Sequence, residues 1–281
     1  MAGQLHTQND FQRPLLRWAG SKRKLLPILL SSIPSFSRYV EPFAGSACLF
    51  FALYPGRAIL SDFNHELMET YYFIREHPLR VAETLAQMPS TPHFYYSLRS
   101  MKPTDLDPIN KAARFIYLNR HCFNGVYRTN RQGAFNVPRG IRTGSMPSPK
   151  EFLACAAMLR GAVLLAGDFE GALSDVKKGD FVYLDPPYAK PGSQNLGEYG
   201  YGAFSEADLP RLFVALEAID RKGATFLLSY RYSRRLVSSI ERWNYRTVMV
   251  RRHVAGFVKH RSNVKELLVS NNRLRLFSTS R

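Results

Sequence analysis

The sequence lacks any run of about 18 apolar residues, which excludes a helix long enough to span a membrane. Its opening, MAGQLHTQNDFQRP, contains no apolar stretch, so no secretory signal is expected. Cysteine is sparse. Cys48, Cys122 and Cys155 are scattered and form no Cys-x-x-Cys pair, which excludes a disulfide framework and a zinc knuckle. The seven histidines form no cluster at ligand spacing, so no metal is expected. A reducing cytoplasm is the expected compartment. The pattern Gly-x-Gly-x-x-Gly is absent as well, which argues against a glycine-lined cradle for a pyrophosphate.

Acidic residues are also few. Asp and Glu number 22 against 39 Lys and Arg, a net charge of +17 with a pI near 10.0. The excess is concentrated. Residues 221–281 carry 15 basic and 2 acidic side chains, and residues 111–142 carry 7 basic and no acidic ones. The rest of the chain is close to neutral. Two concentrated basic regions suit a polyanion, because each neutralised phosphate releases a counterion. Charge alone is equally compatible with a solubilising basic surface.

What is present is an ordinary globular composition, with 45% hydrophobic and 22% charged residues. A length of 281 residues suits one ample core with room for an insert. Short apolar runs bounded by Gly, Pro or Asp read as buried strands at 39–42, 58–61, 163–166, 181–184, 225–229, 245–250 and 267–270. Helical spacing over 22–33, 205–221 and 234–242 lies between them. This alternation predicts an α/β fold with a mostly parallel sheet. The last two strands are close enough to pair antiparallel as a hairpin. The pattern breaks between about 90 and 160, where Tyr, Asn, Arg and Pro are abundant, and this stretch reads as an inserted module.

Asp185-Pro186-Pro187-Tyr188 follows directly on the apolar run 181–184. Ligands of open α/β sheets bind at the carboxyl ends of the strands. Two prolines there stiffen the chain, so the Asp185 carboxylate and the Pro186 carbonyl form a fixed pair of acceptors. An exocyclic amine has two N–H groups to give them, and Tyr188 can stack on its ring. Upstream, Tyr39-Val-Glu-Pro-Phe-Ala-Gly-Ser46 is a strand, an acid and a glycine turn. Asp62 ends the next strand, 21 residues after Glu41. An acid about 20 residues on from the first βα turn holds ribose hydroxyls in nucleotide-binding folds. With no pyrophosphate cradle, a nucleoside cofactor without phosphates fits better.

These pieces resemble, in order and over nearly the whole chain from Arg13 to Asn271, the Dam-like (alpha-group) DNA adenine-N6 methyltransferases. Arg17-Trp-Ala-Gly-Ser-Lys22 is similar to the N-terminal cofactor motif, and Val40-Glu-Pro-Phe-Ala-Gly45 to the first-strand motif. Residues 117–138 (YLNRHCFNGVYRTNRQGAFNVP) are similar to the DNA-reading insert, and Gly167-Asp-Phe169, Asp185–Tyr188 and Glu266–Asn271 follow in place.

The resemblance implies a Rossmann-like methyltransferase sheet built from 1–63 and 163–281, with 64–162 as a mostly helical target-recognition insert carrying a β-hairpin. It implies S-adenosylmethionine as cofactor, bound by Trp18, Ala19, Gly20 and Lys22, with Glu41, Pro42, Phe43 and Gly45 beside it. Asp62 would accept the ribose hydroxyls, Asp168 and Phe169 would read the cofactor adenine, and Asp185 would border both ligands. Asp185, Pro186, Pro187 and Tyr188 would hold the target adenine. A bacterial cytoplasm or nucleoid, or a phage-infected cell, is the implied setting.

For the partner, double-stranded DNA, the insert offers a hairpin turning near Asn130–Gly133. Arg128 suits a bidentate contact to guanine. Phe123 and Asn124 suit a wedge into the stack left by a flipped base. Arg17, Asn130, Asn136 and Pro138 join the expected DNA-binding set. Arg120 and Arg139 suit phosphate contact, as do Arg251, Arg252, Lys259, His260 and Arg261. The Gly-rich stretch 190–202 suits a lid over the base. Two other readings stay open: an RNA adenine methyltransferase using the same pocket, and a DNA-binding protein whose pocket has decayed. The intact Glu41, Asp62 and Asp185–Tyr188 weigh against decay. Target site and oligomeric state (monomer or homodimer) are not encoded in any motif.

Overall fold

The computed structural model describes residues 13–130, 132–141, 143–188, 204–251 and 263–272. Its centre is a seven-stranded sheet. The strands are β1 (Arg38–Glu41), β2 (Ala58–Asp62), β3 (Ala162–Ala166), β4 (Asp180–Leu184), β5 (Thr225–Arg231), β6 (Asn244–Arg251) and β7 (Asn263–Ser270), in the order β3-β2-β1-β4-β5-β7-β6. The five strands from β3 to β5 are parallel, β7 runs antiparallel to β5, and β6 pairs antiparallel with β7. The seven expected strands are all present, and the expected C-terminal hairpin forms with Tyr245 opposite Val269.

The apolar runs of β1, β2, β4 and β5 read as continuous because both faces of the sheet are covered there. Tyr39, Leu60, Phe181, Tyr183, Leu227 and Leu268 face one core, and Val40, Ile59, Val182, Leu184, Phe226 and Leu228 face the other. The first core is closed by α1 (Leu26–Ser31), α2 (Cys48–Leu53) and the helices of the long connection: α3 (His65–Glu76), α4 (Pro78–Ala86), α5 (Pro92–Ser100), α6 (Pro108–His121) and α7 (Pro149–Leu159). The second is closed by α8 (Phe169–Leu173), α9 (Leu209–Arg221) and α10 (Arg234–Ser239).

Local chemistry fixes the helix starts. The Asp107 carboxylate accepts from the amides of Ile109 and Asn110 to begin α6, and Ser148 with Glu151 forms a capping box on α7. The run expected as one helix over 22–33 divides into a 3-10 turn (Lys22–Leu25) and α1, with Pro27 in the first turn of α1. Pro27 lacks the N–H that a continuous helix would use there. Among the described residues no helix is long and apolar enough to cross a membrane.

Candidate active site

Parallel pairing of β1 with both β2 and β4 sets their carboxyl ends side by side. Glu41 ends β1, Asp62 ends β2 and Asp185 follows β4, so three acids far apart in the chain meet at one edge. Pro186 and Pro187 then prevent further pairing, since neither has an N–H to give the ladder. The Asp185 side chain is 19% exposed. The Tyr188 ring packs edge-on against Tyr230 of β5, with centroids 5.3 Å apart.

Each acid is held differently. Glu41 is buried, and its Oε2 accepts from the Tyr39 hydroxyl at 2.9 Å. Burial pushes its carboxyl well above the usual range, and the nearby Asp185 and Asp62 carboxylates add to this while the Tyr39 hydroxyl opposes it. Burial raises Asp62 too, against the amides of Asn64 and Gly45, each donating at 2.9 Å. Gly45 has φ +47°, and a Cβ there would fall 2.7 Å from Trp18 Cδ1. Only glycine turns the chain here and lets the indole approach. The other neighbour of Trp18 is Tyr127, stacked at 6.0 Å with planes 14° apart.

Lys22, expected beside the cofactor residues Trp18, Ala19 and Gly20, also faces the Asp185 pocket. Its ammonium lies 2.5 Å from Asp185 Oδ1, 3.3 Å from Glu266 Oε1 and 3.2 Å from the Gly20 carbonyl, and 5.4 Å from the Tyr188 ring centre. Glu266, on β7, is fully buried and accepts from the Ser229 hydroxyl at 2.5 Å.

Beside this pocket an open cleft lies between Pro42–Phe43, Phe63, Gly167–Phe169 and Arg211. Phe43 and Phe169 stack at 5.3 Å. Asp168 caps α8 through the Glu170 amide at 3.0 Å. Arg211 reaches Asp168, Glu170 and Asp208 at 2.7 to 2.8 Å and lies 4.9 Å from the Phe169 ring centre. The cleft's cation is thus engaged by three carboxylates, and the remaining chemistry is ring faces and acceptors. This donor set suits a nucleoside with a positively charged side arm and no phosphate, so the residues fit S-adenosylmethionine.

The expected DNA-facing residues divide into two groups. Two antiparallel bridges, Cys122 with Arg139 and Thr129 with Phe135, make a hairpin with exposed Phe123, Asn124, Arg128 and Pro138. Asn124 has φ +55°, a left-handed conformation that asparagine tolerates. Arg128 Nε donates to Asn136 Oδ1 at 2.8 Å, and Asn130 closes the turn through the amides of Gln132 and Ala134. Arg120 instead turns inward, donating to the carbonyls of Leu15 and Ser145. Arg139 donates to the Ser90 carbonyl at 3.3 Å. The stretch 190–202 and residues Arg252, Lys259, His260 and Arg261 lie outside the described residues, as does the Arg251 side chain.

Sequence reasoning missed Asn119. Its amide accepts from the Arg17 N–H at 2.8 Å and donates to the Arg17 carbonyl at 2.6 Å, tying the N-terminal motif to α6. Sequence reasoning gave Glu266 no role beyond its place in the Glu266–Asn271 motif, and it gave Ser229 and Arg211 none.

Comparison with known proteins gives the family. Residues 18–254 match the model of the D12 class N6 adenine-specific DNA methyltransferases. A Type II methyltransferase of Lactococcus lactis subsp. cremoris (M1.LlaDCHI) is 32% identical over 271 residues, covering 92% of this chain and 95% of that one. A Type II methyltransferase of Methanocaldococcus jannaschii (M.MjaIII) is 29% identical, covering 92% and 99%. A DNA adenine methylase of Salmonella typhi is 30% identical, covering 91% and 94%. The chain therefore belongs to the D12 class N6 adenine-specific DNA methyltransferases, adenine-specific enzymes acting on DNA with S-adenosylmethionine as methyl donor.

Proposed function

We propose that this enzyme methylates adenine within one short sequence of double-stranded DNA, on a base turned out of the duplex into the pocket of Asp185. One observation carries the reading. Asp185-Pro186-Pro187-Tyr188 follows directly on the carboxyl end of β4, with the Tyr188 ring against Tyr230, and a cleft suited to a nucleoside lies beside it.

The acceptor is weak, because the adenine amine shares its lone pair with the ring. The Asp185 carboxylate and the Pro186 carbonyl accept its two N–H bonds, favour a pyramidal nitrogen and stabilise the positive charge that develops there. Tyr188 offsets part of the unstacking cost, a few kcal/mol, by stacking on the extruded base. S-adenosylmethionine, when bound, supplies a methyl group on a positively charged sulfur. Asp62 takes the ribose hydroxyls, and Asp168 with the Phe169 amide takes the cofactor adenine. Trp18, Ala19 and Gly20 line the same side, with Glu41, Pro42, Phe43 and Gly45 beneath.

Residues 64–162 serve as the target-reading unit on a catalytic body of 1–63 and 163–281. Asn136 holds the Arg128 fork for a guanine edge, Phe123 and Asn124 fill the gap left by the flipped base, and Arg17 reaches a further base. The setting is a bacterial cytoplasm, acting on chromosomal or phage DNA.

Long-read modification mapping of DNA from cells expressing the chain, beside an Asp185→Ala control, tests this reading. N6-methyladenine confined to one motif and absent from the control is the expected result. Soluble, cofactor-binding protein that leaves DNA unmodified would overturn it.

A further inference from the structure

The Lys22 ammonium competes for the groups that the proposed function gives to the target base. It hydrogen-bonds Asp185 Oδ1 at 2.5 Å, where the amine is to bind, and stands 5.4 Å from the centre of the Tyr188 ring, on which the base is to stack. Its side chain is 5% exposed, so it does not sample solvent freely. A cation at that place opposes a reaction in which the amine nitrogen itself becomes positive. Yet Asp185 has to stay ionised to offset the positive charge developing on the amine, in a pocket that also faces Glu41 from β1, Tyr183 from β4, Cys48 from α2 and Glu266 from β7.

The second contact of Lys22 resolves the conflict. Glu266 Oε1 is 3.3 Å from the same nitrogen, fully buried, and fixed by the Ser229 hydroxyl. We propose that Lys22 is a place-holding counter-ion: it keeps Asp185 charged in the empty pocket and is drawn onto Glu266 when the target adenine amine takes its place. Glu266 and Ser229 are then positioning residues, acting through Lys22 and never touching the base. The inference rests on the proposed role of Asp185 and adds the exchange between two carboxylates. It also separates Lys22 from the cofactor residues that precede it.

A double-mutant cycle with Lys22→Met and Glu266→Gln tests the exchange, read in kcat, KM for DNA, and cofactor affinity by calorimetry. Glu266→Gln leaves the ammonium committed to Asp185. It should raise KM for DNA and lower kcat, about tenfold or more in kcat/KM, with cofactor affinity retained. Lys22→Met removes the opposite charge from Asp185 and should move the acid limb of the kcat/KM profile upward by about 1–3 pH units. In the Lys22→Met background, Glu266→Gln should cost little further, since nothing remains for Glu266 to receive. If Lys22→Met folds poorly, Lys22→Gln replaces it in the same cycle, since it also removes the charge while keeping a polar group in the pocket.

Equal cost of Glu266→Gln in both backgrounds would overturn the exchange. So would a Lys22→Met variant that loses cofactor affinity with an unmoved pH profile. An active Asp185→Asn variant would instead sink the underlying reading of the pocket, whichever way the cycle came out.

Discussion

The two ends of β1 and β4 handle charge in opposite ways. At the amino end, Arg38 of β1 lies directly opposite Asp180 of β4 in the strand register. Its guanidinium takes both Asp180 oxygens, at 2.6 and 3.2 Å, and Asp175 at 2.9 Å. At the carboxyl end the same two strands deliver Glu41 and Asp185, with Asp62 adjacent and Lys22 as the cation facing them. One end is neutralised in a fixed fork. The other leaves carboxylates close together, which costs stability and keeps acceptors ready for a ligand. A sheet can place a site at its carboxyl edge because its amino edge is closed.

Substitutions that trade the roles of the two ends test this contrast. Asp185→Ala should lower kcat by about 10²–10³-fold or more while the thermal midpoint stays close to that of the parent. Asp180→Asn should do the reverse. It leaves Arg38 with Asp175 alone and should cost about 3 kcal/mol in denaturant unfolding, with kcat per folded molecule kept. If Asp180→Asn abolished turnover in folded protein, the division of labour would be wrong.

The next largest effect is at Glu41, and its sign follows from linkage. A carboxyl raised above its unfolded value of 4.5 holds an extra proton in the folded state. The stability this contributes is complete below 4.5 and is lost as pH rises through the raised value. Glu41→Gln keeps an acceptor for the Tyr39 hydroxyl and removes that loss. Melting curves from pH 4 to 8 should therefore show a flatter slope, with the midpoint at neutral pH raised by about 2–4 °C. A steeper slope in the variant would contradict the assignment. The smallest effect is expected at Tyr183, whose buried hydroxyl has no hydrogen-bond partner among the described residues. Tyr183→Phe should change stability by less than about 1 kcal/mol, in the favourable direction, since it removes an unsatisfied group.

The first four strands were legible because each is a short apolar run ended by Asp, Gly or Pro, and double coverage of the central strands makes their runs continuous. Glu41, Asp62 and Asp185 were legible for a related reason. An acid at a strand end is a local pattern, and parallel pairing brings strand ends together without further information. The Lys22 contacts were not legible. They join residues 163 positions apart for Asp185, and no spacing rule connects a lysine before the first strand to an acid on β7. The Arg120 contacts were not legible either. An arginine in a basic segment reads as a phosphate ligand, and nothing local shows that its guanidinium also serves the carbonyls of Leu15 and Ser145. The Asn119 amide looked like any polar residue near a helix end until its two bonds to Arg17 were seen.

Those two bonds bear on how target preference is transplanted among such enzymes. Asn119 serves the Arg17 backbone as a neighbouring strand would, and Gly125 leaves room for it, since a Cβ there would lie 2.6 Å from Arg17 Cβ. On the proposed reading of 64–162 as the target-reading unit, a chimera cut only at its borders would bring a foreign loop against this seam. The cassette that reading implies is discontinuous: residues 13–22 would have to travel with 64–162, although the sheet's first strand separates them in the chain.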